Sequence, residues 1–181
     1  MLAQFPPVGS LRRLIVVSLL VLVAATSYRS FGSAETATGS LTLAQPAPAP
    51  GDRAPEFTTK TAAGERFTLT DNGVYVLAFW STLNVNSNKA EPGFKELAEE
   101  YDNDEASFAV VYVNGAPEDY QAPYTLLRDT NGKLTSRYNV KRVPRLFLIK
   151  NGDVELVLNG YYDGSEEELK KKLQEVLPDG P

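Results

Sequence analysis

The sequence predicts an α/β domain on a central mixed β-sheet with helices packed against it, and three observations carry that prediction. Val74–Trp80 and Phe108–Val113 are almost unbroken runs of β-forming apolar residues, the pattern of strands buried on both faces. Arg145–Lys150 and Asp153–Leu158 flank Asn151-Gly152, a pair that accepts the positive φ angles of a type I′ turn, so these two strands are antiparallel neighbours. Two further segments repeat apolar residues at helical spacing.

In chain order, Arg12-Arg13 ahead of Leu14–Ala25 forms a basic and then apolar segment, read as a signal peptide or signal-anchor helix over residues 1–32. The fifteen uncharged residues between Arg13 and Arg29 make about 22 Å of helix, short of a hydrocarbon core of about 30 Å. Cleavage after Ala25 and retention as an anchor both fit. Residues 33–50 are rich in Ala, Thr and Pro and end in Gln45-Pro-Ala-Pro-Ala-Pro50, a semi-extended linker suited to holding a domain off a membrane, which favours the anchor. Arginines before the apolar run stay in the cytoplasm and place the domain outside. The pair also matches a twin-Arg signal weakly.

Residues 51–178 are the globular domain, with 179–181 a tail. Ala54–Phe57 and Gly64–Leu69 suggest a short opening hairpin. Val74–Trp80 is the expected central strand. Ala90, Phe94, Leu97, Ala98 and Tyr101 then fall on one helical face, with Pro92 predicting a kink. Phe108–Val113 is a second buried strand, Tyr124–Arg128 a short third, Asp129–Gly132 a turn and Lys133–Tyr138 one or two helical turns. The link Asn114–Pro123 has ten residues, fewer than the dozen a parallel crossover needs. It therefore holds little more than a turn of helix, or the third strand is an edge. Ser165-Glu-Glu-Glu168 reads as a capping box opening a last helix, with Leu169, Leu173, Val176 and Leu177 as its core stripe.

Composition excludes several chemistries. The chain has no cysteine and no histidine. It cannot form a thiolate, a disulfide or a Cys-ligated metal site, and it lacks the side chain best suited to proton transfer near neutral pH. Net charge is −5, and from Glu35 onward 15 basic residues face 23 acidic ones. That balance argues against nonspecific binding to nucleic acid or anionic lipid, which needs a basic patch. Asp102–Glu105 clusters carboxylates without the glycine and distal glutamate of a calcium loop and reads as a solvated turn. No cofactor, metal or phosphate-loop motif is legible.

Four motifs follow one another in a telling order: Gly51-Asp-Arg-Ala-Pro-Glu-Phe57, Phe79-Trp-Ser-Thr82, Pro92 and Val143-Pro144. Over residues 51–177 the chain resembles thioredoxin-like proteins, in particular the TlpA/ResA-like (redoxin) branch of membrane-tethered extracytoplasmic thiol-disulfide oxidoreductases. In that family the motifs are the opening of the domain, the residues before the catalytic turn, the helix-kinking proline and the cis-proline dipeptide. The resemblance implies a thioredoxin-like three-layer fold and a cis Val143–Pro144 bond.

The chain departs from the family where the chemistry lies. Asn84 and Ser87 hold the two positions of the C-x-x-C thiols, and Ala78 stands where cytosolic members carry a buried carboxylate. Disulfide exchange needs an attacking thiolate, so these residues cannot perform it. Asn and Ser both cap helix N-termini, which explains them structurally. Direct partner contact at Asn84, Asn86 and Asn88 is the alternative, and Ser87 as a nucleophile lacks a histidine base. The link 114–123 is shorter than the helix-bearing insertion usual in this branch.

The resemblance further implies that Trp80, Asn84, Asn86, Ser87, Val143, Pro144 and Arg145 form a peptide- or partner-binding surface without a reactive atom. Arg145 adds a planar cation that selects an acidic partner or simply lies in solvent. The expected function is a redox-inactive, exported, membrane-tethered domain that binds a protein or extended peptide, as an assembly factor, chaperone-like helper or complex subunit, with no cofactor or metal. One alternative is an oxidoreductase relative assisting a cysteine-bearing partner, and another is a structural role through Tyr161-Tyr162 or the last helix. Periplasm, thylakoid lumen and cell exterior all suit an anchored domain, as does secretion after cleavage.

Overall fold

The computed structural model describes residues 46–101, 106–115 and 121–177, which belong to one compact unit beginning at Ala44. The N-terminal signal or anchor segment, the linker up to residue 45, the Asp102–Glu105 cluster and the tail lie outside the described residues. Among the described residues no helix is long and apolar enough to cross a membrane.

The elements run β1 (Phe57–Lys60), β2 (Arg66–Leu69), β3 (Val74–Trp80), α1 (Val85–Tyr101), β4 (Ser107–Tyr112), β5 (Thr125–Arg128), α2 (Lys133–Arg137), β6 (Arg145–Lys150), β7 (Asp153–Asn159) and α3 (Ser165–Val176). β1 and β2 form a separate antiparallel pair. The main sheet is ordered β5-β4-β3-β6-β7, so β3 is central as expected and β5 is an edge. β3, β4 and β5 are parallel, and β6 is antiparallel to both β3 and β7.

Two cores explain why the strands read as unbroken apolar runs. Val76, Ala78 and Trp80 alternate with Leu77 and Phe79, as Phe108, Val110 and Tyr112 alternate with Ala109 and Val111. The first set packs against Ala90, Phe94, Leu97, Ala98 and Tyr101 of α1 and Leu169 and Leu173 of α3. The second packs against Leu134 of α2, Tyr138, and Phe57 and Leu69 of the opening hairpin. Each fully buried Phe or Leu contributes about 1.5–3 kcal/mol relative to exposure, so neither face tolerates polar alternation.

The β6–β7 turn is the predicted one, with Asn151 at φ 50° and Gly152 at φ 82°. α1 continues through Pro92, whose missing N–H leaves the Asn88 carbonyl without its helical donor. The start of α3 corrects the sequence reading. Gly164, at φ 95°, precedes the helix, and no side chain caps it. Ser165 is already the first helical residue and is fully buried; its Oγ accepts the Tyr162 N–H at 3.0 Å. The hydroxyl closes the preceding turn and does not complete a capping box.

This topology brings the C-terminal ends of β3, β4, β5 and β7 and the start of β6 to one end of the sheet. At the opposite end the incoming chain is bonded to the hairpin: Gly51 N–H to Val154 O at 2.8 Å, Val154 N–H to Asp52 O at 2.9 Å and Ala54 N–H to Gly152 O at 2.8 Å. Arg53 pairs with Asp153 at 2.9 Å beside them.

Candidate functional site

β3 delivers the chain into a tight turn, Ser81 to Asn84, which closes with the Asn84 N–H on Ser81 O at 3.0 Å. Asn84 then acts as the N-cap of α1, its Oδ1 accepting the Ser87 N–H at 3.0 Å. Ser87 is buried, and its Oγ accepts the Ser81 N–H at 3.4 Å. Asn114, beyond β4, braces the turn from the side, accepting the Thr82 N–H at 3.2 Å and donating to Thr82 Oγ1 at 2.9 Å. The two residues at the former thiol positions are therefore spent on local structure. Asn84→Ala is expected to cost about 1 kcal/mol, the usual worth of such a cap, with Asn84→Asp retaining most of it; urea unfolding monitored by circular dichroism measures both.

Trp80, foreseen on the binding surface, is instead a core residue. It is 2% exposed and makes edge contacts with the rings of Phe94, Tyr112 and Tyr124 at centroid distances of 4.9, 6.5 and 6.0 Å. It supports the turn from beneath. Pro144 is also buried and follows a cis bond from Val143, and its carbonyl accepts the Gly160 N–H at 2.9 Å. Val143 and Arg145 are half-buried, and the Arg145 backbone stands opposite Phe79 in the β3–β6 ladder. The antiparallel ladder thus sets the Pro144 loop beside the Ser81–Asn84 turn, as the resemblance implied.

Two exposed residues escaped the sequence reading. Leu83 is 85% and Val85 67% exposed, on either side of Asn84. Both fall outside the stripe of Ala90 and Phe94, a signal that the sequence already contained. Asn86 and Asn88 are exposed next to them, with Asn88 Nδ2 donating weakly to Thr82 O at 3.4 Å.

Beside Pro144 lies a cavity of about 290 Å³ lined by Lys141, Arg142, Pro144, Arg145, Asn159 and Gly160. The Arg145 guanidinium carbon stands 5.2 Å from the centroid of the Phe147 ring, and its Nε is buried with no partner. Burial holds the Arg145 pKa below its ordinary value. Tyr162, in the alternative aromatic patch, is 54% exposed and donates to Glu168 at 2.8 Å, whereas Tyr161 is half-buried against the α1–α3 core. Among the described residues no group of three metal-ligating side chains converges.

Comparison with known proteins agrees with this geometry. The pattern of the AhpC/TSA family matches residues 50–157, more than half of the chain. The thioredoxin-like protein YneN of Bacillus subtilis is 28% identical over 136 residues, covering 68% of this chain and 78% of that protein. A solved structure described as a thiol:disulfide interchange protein DsbE, from Chlorobium tepidum, superposes with a TM-score of 0.64 at 24% identity, over 71% of this chain and 98% of its own. The exposed lipoprotein thioredoxin of Streptococcus pneumoniae does so with a TM-score of 0.55 at 20% identity, over 67% and 99%. These superpositions show the fold, and the extent of the sequence match shows the lineage: the chain belongs to the AhpC/TSA family, with a thioredoxin-like domain in which both thiols are absent.

Proposed function

We propose that this chain is a redox-inactive, exported and membrane-tethered thioredoxin-like domain that binds an extended peptide or a protein partner, as an assembly factor, chaperone-like helper or complex subunit. The observation that carries the reading is the pair Leu83 and Val85, 85% and 67% exposed on a turn that Asn84 and Asn114 hold in place by hydrogen bonds. A lone exposed apolar residue is ordinary. Two of them on a turn braced by Asn84 and Asn114 offer an anchor that loses little freedom when covered, and burying each side chain fully is worth about 1.5–3 kcal/mol. The basic and apolar N-terminus and the exposed-lipoprotein relative support export.

Tagged full-length chain, mildly crosslinked in native membranes, tests this. A specific protein recovered with the wild type is expected to fall at least tenfold in the Leu83→Asp/Val85→Asp variant, whose changes lie on exposed positions and leave the fold intact. Undiminished recovery would remove this face from consideration.

A further inference from the structure

We infer that the cavity formed by Lys141, Arg142 and Arg145 beside Pro144 receives an aspartate or glutamate side chain of an extended partner segment, so that this end of the sheet selects acidic peptides. The inference rests on the peptide-binding reading above and supplies its chemical specificity.

Four cations of the described structure sit on carboxylates, Arg53 on Asp153, Lys95 on Glu91, Lys170 on Glu100 and Lys172 on Glu155 and Glu175, and the remainder are in no ion pair among the described residues. Lys141, Arg142 and Arg145 belong to that remainder, and they are set apart by lining one cavity together in a chain where, from Glu35 onward, acidic residues outnumber basic ones by 23 to 15. Three unneutralised cations around one cavity in an acidic domain form a local positive field against a negative background. The walls supply donors and no carboxylate: two guanidinium groups, an ammonium and the amide of Asn159.

The buried Nε–H of Arg145 sharpens the point, because a buried donor without an acceptor is rare in folded proteins. The guanidinium plane is held over Phe147, and a planar fork fixed in this way matches the two oxygens of a carboxylate. Desolvation of this group strengthens its pull on an anion that displaces the remaining water. A cavity of about 290 Å³ has room for an acidic side chain together with ordered water. The occupant belongs to a peptide because the cavity opens against Pro144, at the sheet end that also carries Leu83 and Val85.

Selection of displayed random decapeptides on detergent-solubilised full-length chain is the test, run with wild type, Lys141→Gln/Arg142→Gln, Arg145→Gln and Leu83→Asp/Val85→Asp. Aspartate plus glutamate is expected to be enriched at least threefold in the wild-type pool, and to return to the starting frequency with either cation variant. Lys141 and Arg142 are exposed, so their double variant stays informative if Arg145→Gln proves unstable. Peptides enriched without acidic residues, yet lost with Leu83→Asp/Val85→Asp, would overturn acidic selection and leave peptide binding standing. Acidic enrichment persisting in Lys141→Gln/Arg142→Gln and Arg145→Gln would also overturn the assignment of this cavity. No enrichment by the wild type would overturn both readings.

Discussion

Trp80→Ala is expected to lower the stability of the domain by about 3–5 kcal/mol, the range for removing a buried aromatic and leaving a cavity. Trp80 is 2% exposed and lies against Phe94, Tyr112 and Tyr124, and each such aromatic pair is worth about 0.5–1.5 kcal/mol beyond area burial. Truncation therefore removes three ring contacts at the point where β3 hands the chain to α1. Urea unfolding followed by far-ultraviolet circular dichroism measures the loss. The same residue offers a second reading, because it is the sole tryptophan of the chain: its fluorescence in the wild type should be that of a shielded indole and shift to the red only on unfolding. A loss below about 1 kcal/mol, with solvent-exposed emission, would return Trp80 to the binding surface on which the family resemblance had placed it.

Alkaline pH should unfold the protein through its buried tyrosines. Tyr112, Tyr124 and Tyr138 are 4%, 5% and 0% exposed, and burial raises the pKa of each above its ordinary value of 10.0. Tyr138 donates its hydroxyl proton to Pro55 O at 2.9 Å, a bond the phenolate cannot make. The folded chain thus keeps protons that the unfolded chain releases. Their contribution to stability is whole below pH 10 and falls as the pH rises above it, by about 1.4 kcal/mol per pH unit for each tyrosine. Tyr124 and Tyr138 carry the large shifts, and together they give a slope of about 3 kcal/mol per pH unit, to which Tyr112 adds in the same direction, a substantial share of an ordinary domain's stability within about two units. Tyrosinate absorbance and circular dichroism, followed together, should show these tyrosines ionising only as the fold is lost. Full ionisation near pH 10 with the secondary structure intact would contradict their burial.

The sheet was legible in the sequence because its strands are apolar on both sides, a pattern that surface elements cannot imitate. Val74–Trp80 became the central strand, and Asn151-Gly152 made its turn, since few other dipeptides accept two positive φ angles. The capping of α1 by Asn84 was readable for a similar reason: the bond is local, reaching three residues along. Ser165 was misread because Ser-Glu-Glu-Glu fits a cap one residue out of register, and only the left-handed Gly164 decides where the helix begins. Trp80 was harder. Whether a tryptophan at a strand end is covered depends on Phe94, Tyr112 and Tyr124, which arrive from three separate elements or loops. Leu83 and Val85 were overlooked because apolar residues are taken to be buried by default, and the basic cavity joins the loop before β6 to the end of β7, a juxtaposition no local pattern encodes.

The bonds of Gly51, Asp52 and Ala54 to the hairpin carry a consequence for orientation. They lie at Gly152 and Val154, whereas Pro144, Arg145 and Asn159 mark the other extremity of the same strands. Five residue steps along β7 lead from Val154 to Asn159, about 17 Å at 3.4 Å per residue. The chain thus enters the domain at the pole opposite the Pro144 loop, so a tether of the kind proposed above would leave that loop facing away from its point of attachment.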